Sequence, residues 1–372
     1  MEIFFALFAA GCFLAYTNGA NDNFKGVATL LGSRTSDYKT AISWSTLTTL
    51  AGSLCSLFWA QKLLQFFSGN DLVPDAVAAS PEFLTSVGLG AAMTVLIATL
   101  TGWPVSTTHA ITGGLVGAGV MAAGSDVNLS VLGGNFFLPL LISPLVAVVM
   151  SAFLYAMFRM IRVKLGFKRT YCICVGQTEK VVSVAEPLGA FSLRALRTPE
   201  IKIASQKECR QQYEGRLLGI PCQKLLDSAH FLSAGLVSFA RGLNDTPKIV
   251  ALLLVMPNFS LTFRMFLIVA LMALGGLLNA RKVAATMSHR ITPMNHGQGF
   301  TANLVTGFLV IFASPWGWPV STTHASCGSL FGIGAVTGKG HFDVISKIIM
   351  AWVLTLPLAA VVAGSIYILF SK

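Results

Sequence analysis

The sequence predicts an all-α polytopic membrane protein, two inverted-topology repeats of about five spans each, with broken or re-entrant helices at the midplane. Three observations carry that reading. Of 372 residues, 54% are hydrophobic and 11% charged, with mean hydropathy +0.70, whereas a soluble domain carries about 25% charged residues. Apolar runs of about 20 residues, the length that crosses a bilayer, recur along the chain. One stretch occurs twice without change, Gly102 through Ala110 and Gly317 through Ala325. The 35 glycines and 14 prolines suit bent helices better than barrel strands, which would alternate in polarity. A water-soluble body is excluded. Nucleic-acid binding is excluded too, because the net charge of +11 is spread over a lipid-embedded chain.

In order, spans are expected near 3–31, 40–64, 84–101, 104–123 and 131–161, forming an N-terminal repeat over 1–161. A C-terminal repeat over 228–372 holds spans near 228–256, 260–280, 299–315, 318–337 and 345–370. Between them lies a basic insert, 162–227. Half of the 26 Lys and Arg residues fall between Arg159 and Lys224, and such an excess beside spans marks the cytoplasmic side. Arg34 and Lys39 then lie inside, Asp71, Asp75 and Glu82 outside, and Arg281, Lys282 and Arg290 inside. Five crossings per half leave both termini outside, in a cytoplasmic (inner) membrane, and give the halves opposite orientation. The short segment 104–123 also reads as a re-entrant hairpin. In the insert, Cys172, Cys174, Cys209 and Cys222 are expected as free thiols rather than a zinc site. No cofactor is expected.

A shorter echo precedes each copy of the long motif: Gly19-Ala20-Asn21-Asp22-Asn23-Phe24-Lys25 and Gly242-Leu243-Asn244-Asp245-Thr246-Pro247-Lys248. Of 15 acidic residues, Asp22 and Asp245 alone sit well inside apolar stretches. A carboxylate at membrane depth is costly unless paired or hydrated, so a pathway role is the first hypothesis. The plainer account is a buried ion pair, Asp22 with Lys25 and Asp245 with Lys248. The adjoining Gly and Asn favour an unwound helix. Its carbonyls, with Asn21, Asp22, Asn244 and Asp245, would surround a cation.

Pro-Val-Ser-Thr-Thr-His suits a different ligand. Proline fits a helix's first turn. The hydroxyls of Ser106, Thr107 and Thr108, and of Ser321, Thr322 and Thr323, then join the unpaired N–H groups at the positive end of a helix dipole. Two such clusters from opposing halves would surround a tetrahedral oxyanion. The plainer account is that the hydroxyls glue helices together. His109 and His324 end the clusters as donors, proton carriers or positioning groups. A metal is disfavoured because no third ligand lies at a recognisable spacing. Lys25, Arg241 and Lys248 add positive charge, which favours an anionic substrate.

The paired Gly-x-Asn-Asp and Pro-Val-Ser-Thr-Thr-His motifs, in this order around a polar loop, resemble the inorganic phosphate transporter (PiT) family. The resemblance covers both apolar halves and leaves the insert out. It implies cation-coupled phosphate uptake on the family's inverted-repeat fold, with Asp22 and Asp245 essential and the hydroxyl clusters contacting phosphate. This sequence also departs from the family's pattern. Lys25 stands where Asn is usual, Thr49 and Asn303 where many members carry glutamates, and Arg241 where His is common. Two carboxylates are missing and one or two cations gained, which bears on sodium stoichiometry and on the choice of ion.

The expectation is a secondary transporter rather than an enzyme. It would import inorganic phosphate with Na+ or H+ by alternating access, embedded in membrane lipid and compatible with a homodimer. Sulfate, also tetrahedral, is the alternative. Phosphate is favoured because it keeps a proton near neutral pH and can donate to Asp22 and Asp245. A passive anion channel would be poorly lined by buried acids. An intramembrane hydrolase using Ser106 with His109 leaves the duplication unexplained.

Overall fold

A computed structural model describes residues 2–69, 71–164, 171–185, 191–205, 218–256 and 259–371. They form two compact units, Met1–Ala156 with His230–Lys372, and Met157–Ala229. Within the smaller unit, strands β1 (Tyr171–Ala185), β2 (Phe191–Ser205) and β3 (Leu218–Pro221) make an antiparallel sheet in the order β2-β1-β3. β1 and β2 pair from Tyr171 opposite Ser205 to Ala185 opposite Phe191. The period-two alternation of Glu200-Ile201-Lys202-Ile203 is the local signal for this sheet. Cys209, and the basic residues Lys168, Arg169, Lys207, Arg210 and Arg216, lie outside the described residues.

The larger unit is helical. Its first half contains α1 (Glu2–Asp22), α2 (Ala28–Gly32), α3 (Tyr38–Trp59), α4 (Gln61–Phe66), α5 (Asp75–Ala78) and α6 (Pro81–Thr101). Then come α7 (Thr107–Ala123), α8 (Leu129–Val131), a π-helical stretch Leu132–Phe137, and α9 (Leu138–Lys164). The second half contains α10 (Cys222–Ala251), α11 (Leu261–Asn279), α12 (Arg281–Ala285), α13 (His296–Trp316), α14 (Thr322–Thr337) and α15 (Phe342–Phe370). Among the described residues, seven helical runs are long and apolar enough to cross a membrane: α1, α3, α6, Leu132–Lys164, α11, α13 and α15. The chain is an integral membrane protein. The three remaining expected spans each carry a repeated motif, as α1 also does. α7 and α14 are short, 17 and 16 residues, and α10 carries Arg241, Asp245 and Lys248.

Capping signals set the ends of the helices that lead into the long motif. Ser80 caps α6, with Pro81 in its first turn, and Asn295 forms a capping box with Gln298 at α13. Both helices stop at a glycine in the left-handed region, Gly102 at φ 79° and Gly317 at φ 76°, where a side chain would be strained. From there Trp-Pro-Val leads, outside any helix, into α7 or α14.

Expected unwinding beside the two acids occurs only at the first. α1 ends at Asp22, and turns through Lys25 lead to α2. α10 continues past Asp245, with Pro247 inside it, to Ala251. Proline's fixed φ is itself helical, so Pro247 removes one ladder bond without having to end the helix.

The halves pack by exchange. α1 lies against α6 and α11, and α15 against α6 and α7. A Cβ on Gly19 of α1 would collide with the Met272 carbonyl of α11, and one on Gly275 of α11 with the Tyr16 carbonyl of α1. Likewise, a Cβ on Gly52 of α3 would collide with Phe239 O of α10, and one on Gly242 of α10 with Thr49 O of α3. Only glycine permits such backbone approach. Gly19 and Gly242 hold the same place in the short motif, so the first helix of each half packs on the second helix of the other.

Candidate functional site

The two Pro-Val-Ser-Thr-Thr-His turns are built alike. Ser106 and Ser321 are the N-caps of α7 and α14, their hydroxyls accepting from the backbone N–H of His109 and of His324, each at 3.2 Å. The asparagines of the short motif brace these turns. Asn21 Nδ2 donates to Thr99 Oγ1 (3.0 Å) and Trp103 O (3.1 Å), and its Oδ1 accepts from Val105 N (3.2 Å). Asn244 Nδ2 donates to Val320 O (2.9 Å), and its Oδ1 accepts from Ser314 Oγ (3.4 Å). Spacing alone placed Asn21 and Asn244 beside a cation; here their amides hold one motif to the other.

Both expected ion pairs form, and both extend across the halves. The Lys25 ammonium donates to Asp22 Oδ1, to Val105 O (2.6 Å) and to Thr323 Oγ1 (2.6 Å). The Lys248 ammonium lies 3.6 Å from Asp245 Oδ1 and donates to Thr108 Oγ1 (2.7 Å) and Val320 O (3.3 Å). Each lysine thus meets its own half's carboxylate, its own half's valine carbonyl, and a threonine of the other half. Thr107 Oγ1 donates to Asp22 Oδ2 at 3.1 Å. Thr322, in the repeat's equivalent place, is buried.

Two residues at equivalent motif positions, Asn18 and Arg241, join the acids. Asn18 Nδ2 donates to Asp22 Oδ2 (3.1 Å) and to Asp245 Oδ2 (3.5 Å). Arg241 Nη2 donates to Asn18 Oδ1 (2.9 Å) and Nη1 to Asn23 Oδ1 (2.8 Å), while Nε lies 3.7 Å from Asp245 Oδ2. Sequence reasoning missed Asn18 and Asn23. The available signal was a buried amide one helical turn before Asp22, on the same face. With Lys25, Lys248 and Arg241 against Asp22 and Asp245, cations exceed carboxylates by one in a fully buried cluster. That sign favours an anion.

His109 and His324 meet each other, with ring centroids 4.4 Å apart in a T-shaped arrangement. His324 Nδ1 donates to Leu140 O at 3.2 Å. Thr49 donates to Ser238 O (3.2 Å) and lies 3.3 Å from Arg241 Nη1. Asn303 accepts from Thr29 Oγ1 at 3.0 Å. Neutral side chains therefore occupy both positions where the resemblance would place glutamates.

A helical membrane body whose two halves bring buried charges and paired helix N-termini to one centre belongs with the polytopic transporters. The sequence model of the phosphate transporter family matches residues 18–363, and the chain belongs to that family. It is similar to a Rhizobium meliloti (strain 1021) protein described as "Probable low-affinity inorganic phosphate transporter". The two are 26% identical over 376 residues, covering 97% of this chain and 94% of the relative. Its fold matches a solved structure titled "The sodium-dependent phosphate transporter" with a TM-score of 0.76 at 22% identity, covering 100% of this chain and 99% of that one. That likeness is one of fold. The family is one of transporters, so the hydrolase reading of Ser106 with His109 is set aside.

Proposed function

We propose that the chain imports inorganic phosphate by alternating access, coupled to Na+ or H+, with the anion held between the two Pro-Val-Ser-Thr-Thr-His turns. The observation that supports this most is the exchanged hydrogen bonding of Thr323 to Lys25 and Thr108 to Lys248. Hydroxyl and ammonium donors from both halves converge on one centre, and an oxyanion entering there exchanges carboxylate contacts for its own. Ser106, Thr107, Ser321 and Thr322 surround that centre as further donors, and His109 with His324 sets the spacing of the two turns. Asp22 and Asp245 accept the phosphate proton or hold the coupling cation.

The repeats are inverted in this reading, with both termini outside, the 162–227 insert cytoplasmic, and the inner membrane as location. A site built from both halves opens to one side or the other as one half rocks against its partner. The family, and the names of the relative and of the fold neighbour, support phosphate as the substrate.

Uptake of radioactive phosphate into proteoliposomes tests this. Concentrative uptake that survives a large excess of sulfate is expected. Equal competition by sulfate would move the assignment to sulfate, and equilibration without accumulation would make the protein a passive channel.

A further inference from the structure

The coupling cation is where the site departs from one that binds a metal ion. In membrane transporters, sodium is held by oxygens at interrupted helices, backbone carbonyls among them. Each half of this protein assembles such a set: Asp22 Oδ1, Val105 O and Thr323 Oγ1 in one, Asp245 Oδ1, Val320 O and Thr108 Oγ1 in the other. Each set is taken by an ammonium of the chain itself. Three N–H donors of Lys25 meet three acceptors, one apiece; Lys248 faces the equivalent atoms with two hydrogen bonds and an ion pair at 3.6 Å.

We infer that Lys25 and Lys248 are tethered cations that stand in for a mobile metal ion in each half, so that phosphate uptake by this chain is independent of sodium. The inference rests on the phosphate-transport reading above. A sodium ion entering either set would have to displace the ammonium or sit beside it. The first leaves a lysine charge buried without its carboxylate; the second places like charges in contact at low dielectric. Nor do Thr49 and Asn303 offer a second place. Neither supplies a carboxylate, Thr49 lies beside the Arg241 guanidinium, and Asn303 Oδ1 already accepts from Thr29. A lysine fixed to the chain neutralises a bound anion but carries no gradient across the membrane. The gradient must then be one of protons, the other coupling ion proposed above.

The test uses the full chain in liposomes, with phosphate uptake measured in sodium, potassium or N-methylglucamine, and binding of radioactive sodium measured on the purified protein. Wild type should take up phosphate equally in all three media and bind no sodium. Lys25→Asn should lose uptake by about tenfold or more without sodium, the scale of a charged hydrogen bond lost from a buried carboxylate, and regain it when sodium is added. The same variant should bind radioactive sodium. Should Lys25→Asn fail to fold, Lys25→Gln carries the test, because it removes the charge while keeping a longer polar side chain, and Asp22 has no other ion-pair partner among the described residues.

Wild-type uptake that collapses in potassium, or sodium binding by wild type, would overturn the inference. Uptake in none of the media would instead remove the phosphate reading, and the sodium-binding comparison would still decide the role of the lysines.

Discussion

At Asp22 the backbone breaks and turns, whereas at Asp245 the helix runs on through Pro247 to Ala251. Despite different backbone paths, Lys25 and Lys248 reach the same three kinds of acceptor on equivalent residues. The exchanged contacts, rather than the course of the helix, are what the two halves share. They part at one place: Asn18 in the first half corresponds to Arg241 in the second. Asp22 therefore faces one lysine and neutral donors, while Asp245 faces Lys248 at 3.6 Å and Arg241 at 3.7 Å. The duplicated frame carries an unequal charge distribution.

The inequality has its largest consequence at the acids. Asp22→Asn and Asp245→Asn should both abolish concentrative uptake. Breaking a buried pair costs about 3–5 kcal/mol, and Asp245→Asn takes the ion-pair partner from two cations, Lys248 and Arg241, where Asp22→Asn takes it from Lys25 alone. Thermal unfolding in detergent should rank Asp245→Asn as the less stable variant; the reverse order would show that Arg241 is not balanced by Asp245. Next come the threonines. Thr108→Val and Thr323→Val each remove a hydrogen bond to an ammonium, about 1.5–3 kcal/mol. Phosphate affinity by isothermal titration should fall about equally in both, and loss confined to one would break the equivalence of the turns.

Smaller effects test the shared frame. Gly19→Ala and Gly242→Ala each push a methyl into a facing carbonyl, and overpacking costs about 1–3 kcal/mol. Similar drops in melting temperature would confirm that both crossings are equally tight. The least change is expected from Ser106→Ala and Ser321→Ala, each deleting an N-cap worth about 1 kcal/mol. Matched small losses of stability would fit their identical 3.2 Å cap bonds; a loss of phosphate affinity from one alone would mean that only that serine donates to the anion and that the two turns are not equivalent.

Much of this was legible in the chain, because apolar runs and repeated motifs are local signals. The membrane class, the helical segments and the two motif pairs all follow from residues close in sequence. The ion pairs of Asp22 with Lys25 and Asp245 with Lys248 were legible too, from a spacing of less than one helical turn. The partners supplied by the other half were not. Nothing near Lys25 indicates Thr323, and nothing near Gly19 indicates Met272, because those contacts depend on how distant helices cross. Asn18 escaped notice because a lone amide in an apolar run carries no periodic signature. The unwinding expected at Asp245 failed because Gly, Asn and Pro247 are local signals only, and the packing of Gly242 against Thr49 and Ser53 of α3, which overrides them, depends on a distant helix.

The exchanged glycine crossings also fix an order of assembly during synthesis. Gly19 and Gly275 are separated by roughly 250 residues of chain, so a ribosome adding ~5–20 residues per second leaves α1 without its partner for tens of seconds. During that interval Lys25 is in the membrane without Thr323, and the nascent first half has no completed charge cluster. A first half made alone would retain an open glycine face and an unfinished polar centre. Cleaving the gene within 162–227 and expressing both pieces together should restore a working pair, whereas either piece alone should be degraded as an orphan.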